Sequence, residues 1–264
     1  MNKYSVLGVN LDAGKASDFV DKITSNAIDK KSKYVCVANV HMLVEAYNDS
    51  SFASVVNEAN VITPDGMPLT WAIRLLYKTK QDRVAGMDLL PELLSKASIL
   101  KLPVFFYGGT EKMLAQTVLY LKENFSELKV VGTHNPPFRR LTEEEEMETV
   151  EMINNSGAAL VFVVLGCPKQ ERWMAAMKER INAVMIGIGG ALPVLIKMQK
   201  RAPRWMQELG LEWLFRLFQE PKRLFKRYAI TNSKFIYLII REVYMRRRNE
   251  ERSRRIFRKN SRVA

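Results

Sequence analysis

The chain has 264 residues, 47% of them hydrophobic and 26% charged, and a formal net charge of +13. That length accommodates one large α/β domain with an appendage. The two cysteines, Cys36 and Cys167, form neither a CxxC pair nor a Cys/His cluster, which speaks against a disulfide framework or a structural metal and fits a reduced cytosolic protein.

The charge is unevenly spread: residues 197–264 carry 20 Lys and Arg against 6 Asp and Glu, leaving 21 against 22 for residues 1–196. A neutral body is followed by a basic tail. The opening MNKYSVLGVNLDAGKAS has neither an uninterrupted apolar core nor a small-residue cleavage site, so no signal peptide is expected. No apolar stretch reaches the roughly 18 to 20 residues of a membrane-spanning helix. The longest fall at 158–167 and 235–240.

In chain order, the hydrophobic pattern predicts strands at 4–9, 34–38, 61–63, 103–107, 129–132, 160–165 and 183–187. Between them, helical spacing falls at about 15–31, 41–58, 67–77, 87–99, 111–125, 142–155 and 169–181. Thr142 followed by Glu145 reads as a capping box, strengthened by the acidic run Glu143 to Glu146 at the positive end of that helix. The alternation predicts a Rossmann-like α/β fold, a mostly parallel sheet with helices on both faces.

Such sheets bind ligands beyond the carboxyl ends of their strands. Several of these junctions carry unusual residues. At Thr63-Pro64-Asp65-Gly66, Asp65 either caps the helix starting near Met67 or projects a carboxylate at the rim. Gly108-Gly109 and Gly187-Ile188-Gly189-Gly190 are either plain tight turns or places where backbone N–H groups face a phosphate. The GxGxxG spacing is absent, which disfavours a nicotinamide cofactor. Lys169, Gln170, Glu171 and Arg172 open a helix after the 160–165 strand, as a solvated first turn or as groups reaching the same rim as Asp65. His41 and His134 stand singly, outside any triad or HExxH arrangement, and read as structural.

Taken together, the strings VANVHMLVEA (37–46), TPDGMPL (63–69), RVAGMDLL (83–90), FFYGGTEKML (105–114), PPFR (136–139), LGCPKQERWM (165–174) and RAPRWMQELGLEWLFRLFQEPKRLFKRY (201–228) resemble the WecG/TagA/CpsF family. The resemblance implies glycosyltransferase family 26: inverting transfer from a UDP-sugar, commonly of the N-acetylmannosamine type, to an undecaprenyl-diphosphate-linked sugar, without a catalytic metal or other cofactor. By motif, Asp65 falls on the family's proposed base, and Asn39, Arg83 and Gln170 fall on its pocket residues. Some members carry Thr two residues before that Asn, where this chain has Val37, which bears on sugar specificity. The residue chemistry agrees, since the Asp-x-Asp pair of metal-dependent sugar transferases is absent. Arginines and helix N-termini would then neutralise the leaving diphosphate, and UDP would lie over the glycines Gly108, Gly109 and Gly189.

Two regions are expected: an α/β catalytic domain over 1–195 and a basic helical appendage over 196–264. The appendage sets Arg216, Arg223 and Arg227 among Leu214, Leu217, Phe218, Leu224 and Phe225, in a basic amphipathic helix broken near Pro221. Large apolar groups interleaved with cations suit an anionic membrane surface at the inner face of the cell membrane. The family resemblance further implies that the appendage folds over the site and gives arginines to the donor diphosphate, with Arg216, Arg223 and Lys226 as candidates. The apolar run 235–240 needs cover from lipid, from protein or from a second subunit, and 245–262 is basic enough to fray. The alternative is a non-catalytic basic α/β protein that binds membrane or nucleic acid. Nucleic acid is not the expected partner, because the charges alternate with large apolar groups.

Overall fold

The computed structural model describes residues 1–260. The chain opens with an antiparallel hairpin, β1 (Asn2–Val6) and β2 (Val9–Ala13), that forms its own two-stranded sheet. This corrects the single strand expected at 4–9. Leu7 and Gly8 adopt φ values of 51° and 83°, the consecutive positive φ angles of a two-residue hairpin turn.

There follow α1 (Ala16–Ile28), β3 (Lys33–Ala38), α2 (Val40–Asn48), α3 (Ser50–Asn57), β4 (Val61–Pro64), α4 (Met67–Tyr77), α5 (Gly86–Ile99), β5 (Val104–Gly108) and α6 (Glu111–Asn124). Next come β6 (Val130–His134), α7 (Glu143–Asn155), β7 (Leu160–Val164), α8 (Lys169–Met177) and β8 (Val184–Gly187). The chain then continues through α9 (Ala191–Leu195), α10 (Arg204–Glu208), α11 (Glu212–Gln219) and α12 (Pro221–Asn260).

The six later strands form one parallel sheet in the order β4-β3-β8-β7-β5-β6. The fold is the expected Rossmann-like α/β arrangement. From β3 the chain builds outward to β4, crosses to β5 and β6 at the other edge, and fills the middle with β7 and β8. That reversal opens a crevice at the carboxyl ends of the central strands. Alternate residues of β3 serve two cores: Tyr34 and Cys36 pack with Met42, Phe52 and Met174 on one face, Val35 and Val37 with Phe19, Leu90 and Leu93 on the other.

The helix expected at 41–58 is two helices. Asp49 leaves helical geometry, and its side chain accepts hydrogen bonds from Ser51 N and Phe52 N to cap α3. Asp-Ser-Ser is a strong N-cap signal that the apolar periodicity on either side masks. The capping box forms: Thr142 Oγ1 accepts from Glu145 N at 3.2 Å, and Glu145 Oε2 accepts from Thr142 N at 2.9 Å.

The break near Pro221 separates α11 from α12, which packs on α2, α4 and α11. The apolar run 235–240 is covered on one side only. Phe235, Leu238 and Ile239 are buried, while Ile236, Tyr237 and Ile240 remain 58%, 63% and 62% exposed. Further along, Leu7 N donates to Glu242 Oε2 at 3.4 Å and Arg246 Nη2 to Tyr77 Oη at 3.0 Å, so the hairpin and α4 hold the helix. The basic stretch expected to fray continues as helix to Asn260, and its last two residues lie outside the described ones. Among the described residues no helix is long and apolar enough to cross a membrane.

If α12 is part of the core, Phe235→Ala should lower the unfolding free energy by about 3 kcal/mol. Ile236→Ala beside it should change that energy by less than about 0.5 kcal/mol. Chemical denaturation of the two variants measures the contrast.

Candidate active site

A cleft of about 1140 Å3 lies at the carboxyl ends of the strands, walled on one side by α10, α11 and α12. Asn39, Asp65, Arg83, Gly108, Gly109, Gln170, Gly189, Arg216 and Arg223 all line it. Lys226 does not: it points to solvent, and Arg227 faces the cleft instead. The reason is helical phase. With α12 starting at Pro221, the cleft face repeats at Arg223, Arg227 and Thr231, and Lys226 falls about 100° away.

Asn39 is the N-cap of α2, its Oδ1 accepting from Met42 N at 3.1 Å, which leaves its amide nitrogen for a ligand. Asp65 follows β4, and its own N donates to Ala38 O at 2.7 Å. The N-cap of α4 falls on Gly66, whose φ of 93° makes the sharp entry into the helix, so the Asp65 carboxylate is not spent on capping. Burial pushes the Asp65 carboxyl from its ordinary 3.8 up to about 7. The Glu212 carboxylate adds to the rise, Arg83 and Arg216 oppose it, and Asp88 adds a smaller push upward.

Arg83 ties the walls of the cleft together. Its Nη1 donates to Glu212 Oε2 of α11 at 2.8 Å, and its Nη2 to Asp88 Oδ2 of α5 at 2.8 Å and Gln207 Oε1 of α10 at 3.2 Å. Asp88 also pairs with Arg201. Arg216 sits close to the backbone at Gly190, where any Cβ would run into its guanidinium. On the far wall, Tyr107 stacks on Trp173 with ring centroids 4.1 Å apart, and His134 lies against Tyr107 at 5.8 Å.

The cations of the cleft sort into two kinds. Arg83, Arg139, Arg172 and Arg223 pair with Glu212 and Asp88, Glu145, Asp49 and Glu220 respectively. Among the described residues Arg140, Lys169, Arg216 and Arg227 line the cleft with no carboxylate partner. Arg227 has a buried Nε without a hydrogen-bond partner, as does Nδ1 of His41, which also faces the cleft. Burial and the neighbouring Arg227 charge hold the His41 imidazole below its usual pKa, with Glu45 opposing.

Sequence reasoning thus missed Glu212, Arg227 and the cleft-facing position of His41. The i, i+4 spacing of Arg223 and Arg227 carries a signal for the second. Nothing local marks Glu212, whose effect on Asp65 arises from tertiary contact. No group of three His, Cys, Asp or Glu suited to a metal ion occurs among the described residues.

The chain matches the model of the glycosyl transferase WecG/TagA/CpsF family over residues 4–249. It is also 31% identical over 209 residues, 78% of this chain and 79% of the relative, to a Bacillus spizizenii protein. That protein is named N-acetylglucosaminyldiphosphoundecaprenol N-acetyl-beta-D-mannosaminyltransferase.

If Glu212 raises the Asp65 pKa as its position indicates, Glu212→Gln should move it below about 7. Removing the charge also frees Arg83 to favour the carboxylate. Carboxyl-carbon NMR titration of Asp65 in both proteins measures the shift.

Proposed function

The chain belongs to the glycosyl transferase WecG/TagA/CpsF family, and on that premise we propose that it moves a sugar from a UDP-sugar to an undecaprenyl-diphosphate-linked sugar. The donor is of the N-acetylmannosamine type, a choice supported by the name of the Bacillus relative. Asp65 is the general base. The acceptor hydroxyl oxygen attacks the anomeric carbon, its proton passes to the Asp65 carboxylate, and the bond to the UDP diphosphate breaks with inversion. The electron pair leaves on the diphosphate, which Arg216 and Arg227 neutralise as unpaired cations of the cleft. No metal is required in this scheme.

The observation that carries the reading is the Asp65 carboxyl poised at about 7 in a cleft lined by arginines. A base matched to neutral pH combines a useful ionised fraction with appreciable proton affinity.

The 196–264 appendage serves as a membrane-docking module for the 1–195 catalytic domain, on the cytoplasmic face. Supporting this, Trp205, Leu209, Phe218, Phe225, Ile236, Tyr237 and Ile240 are exposed large hydrophobic residues of the appendage. Among them stand exposed Lys222, Lys226 and Arg241, a combination suited to anionic lipid.

Asp65→Asn should abolish transfer, measured as product from a panel of UDP-sugars and a polyprenyl-diphosphate-GlcNAc acceptor. Wild-type kcat/KM should rise with pH and level off above about 7, and turnover should persist in EDTA. Retained turnover in Asp65→Asn rejects the base. A carboxyl raised from 3.8 holds its proton more tightly folded than unfolded, so ionising it costs stability as pH climbs toward 7. Asp65→Asn should therefore raise Tm at pH 8 and leave it unchanged well below pH 3.8, where folded and unfolded chains both hold the proton.

Paired substitution of Phe225 and Ile240 by Ser should weaken sedimentation with anionic liposomes while leaving the thermal melt intact. Surface variants are the better probe because removing the appendage would also strip Phe235 and Ile239 from the core.

A further inference from the structure

Behind the GCPK turn, Glu171 is fully buried in the first turn of α8. Its Oε1 accepts from Gln170 Nε2 at 2.7 Å, and its Oε2 is buried without a hydrogen-bond partner. Burial pushes the Glu171 carboxyl above the usual carboxylate range, against the opposing pull of Gln170 and the Cys167 thiol. Folding alone does not call for such a group. The same helix buries Met174 and Met177, and an apolar side chain at 171 would remove the unpartnered oxygen while depriving only one group, the Gln170 amide nitrogen, of its acceptor.

The neighbour explains what the carboxylate does. Gln170 lines the cleft while almost fully buried, and its Oε1 accepts from Gly166 N at 3.1 Å. A Cβ at Gly187 would come within 2.8 Å of Gln170 Nε2, and one at Gly189 within 3.2 Å of its Oε1, so both glycines make room for the amide. An amide has nearly the same shape in its two flipped orientations, which exchange donor and acceptor. Glu171 Oε1 accepts from the amide nitrogen, and the Gly166 N–H can only donate to the amide oxygen. Both constraints select the same flip.

We propose that Glu171 is a positioning residue that locks the Gln170 amide in one orientation, so that the donor sugar meets a fixed pattern of donor and acceptor. The proposal rests on the proposed function, in which Gln170 contacts that sugar. Glutamine at 171 fills the same space but can donate or accept, which leaves the Gly166 N–H alone to hold the flip.

The test is a kinetic cycle of wild type, Glu171→Gln, Gln170→Ala and the double variant, with the Gln170 side-chain amide followed by NMR hydrogen exchange. Glu171→Gln should lower donor kcat/KM roughly tenfold, the scale of one misplaced hydrogen bond. In the Gln170→Ala background the same change should cost less than about twofold, because the residue through which Glu171 acts is gone. Exchange of the Gln170 amide protons should be slow in wild type and faster in Glu171→Gln. Equal losses in both backgrounds, no loss in either, or unchanged exchange would overturn the proposal.

If wild type turns over no UDP-sugar, the functional reading fails and the exchange measurement alone decides the role of Glu171. Should Glu171→Gln not fold, the exchanged pair Gln170→Glu with Glu171→Gln retains one amide and one carboxylate in the same space. It is expected to melt near wild type and to lose donor turnover, and wild-type kcat/KM in that protein would equally overturn the assignment.

Discussion

One guanidinium holds the cleft in shape. Arg83 divides its donors among Asp88 on α5, Gln207 on α10 and Glu212 on α11, joining the end of the sheet to the helices that follow it. Charge-assisted contacts from a planar guanidinium are directional as well as strong. The same contact sets the field at Asp65. It brings Glu212 close enough to oppose ionisation of Asp65 while Arg83 itself favours it, and much of the Arg83 charge is already answered by two carboxylates. Burial therefore prevails, and the carboxyl stays near neutral pH rather than falling to the range of an arginine-paired aspartate.

A second consequence concerns α12. Its inward stripe of Phe235, Leu238 and Ile239 belongs with the body, whereas Ile236, Tyr237 and Ile240 do not. A helix of 40 residues with one apolar side committed inward and a second exposed is not explained by solubility. Burying large side chains in the core fixes the helix against α2, and the Glu242 and Arg246 contacts to the hairpin and α4 continue that grip. The outer stripe is thereby presented on a rigid element. On the proposed function, that rigidity aligns the cleft with the surface from which a lipid-linked acceptor is drawn.

The parallel sheet and its junctions were legible because each strand is a short apolar run ended by glycine, proline or a polar residue, a pattern created by local physics. The hairpin was not, because Gly8 lies within an apolar run and periodicity reads through it. Asp49 was overlooked for a similar reason, with apolar spacing continuing on both sides of a cap. At the site, the position of Asp65 at a strand end follows from the turn chemistry of Pro64 and Gly66. Its pKa does not, since that depends first on burial in the folded chain and then on Glu212, which lies 147 residues away in sequence. Arg227, not Lys226, lines the cleft because the face of α12 turned inward is set by which stripe packs on the body, and the break near Pro221 leaves that rotation open.

The division of the arginines gives the chemistry a structural condition. Paired cations such as Arg83 and Arg223 supply shape, because their charge is already answered by carboxylates. Arg216 and Arg227 have no such partner among the described residues, and both come from helices that follow the sheet, while Asp65, Asn39 and Gln170 come from the sheet's own rim. Neutralising a departing diphosphate needs the first group, and deprotonating an alcohol needs the second. On the proposed function, neither can act until the helices lie against the rim. The arginines that close the cleft and the apolar residues that face outward occupy opposite sides of α11 and α12. Because Phe235, Leu238 and Ile239 already fix α12 on the body, docking the outer face would orient a formed cleft toward the surface that carries the acceptor.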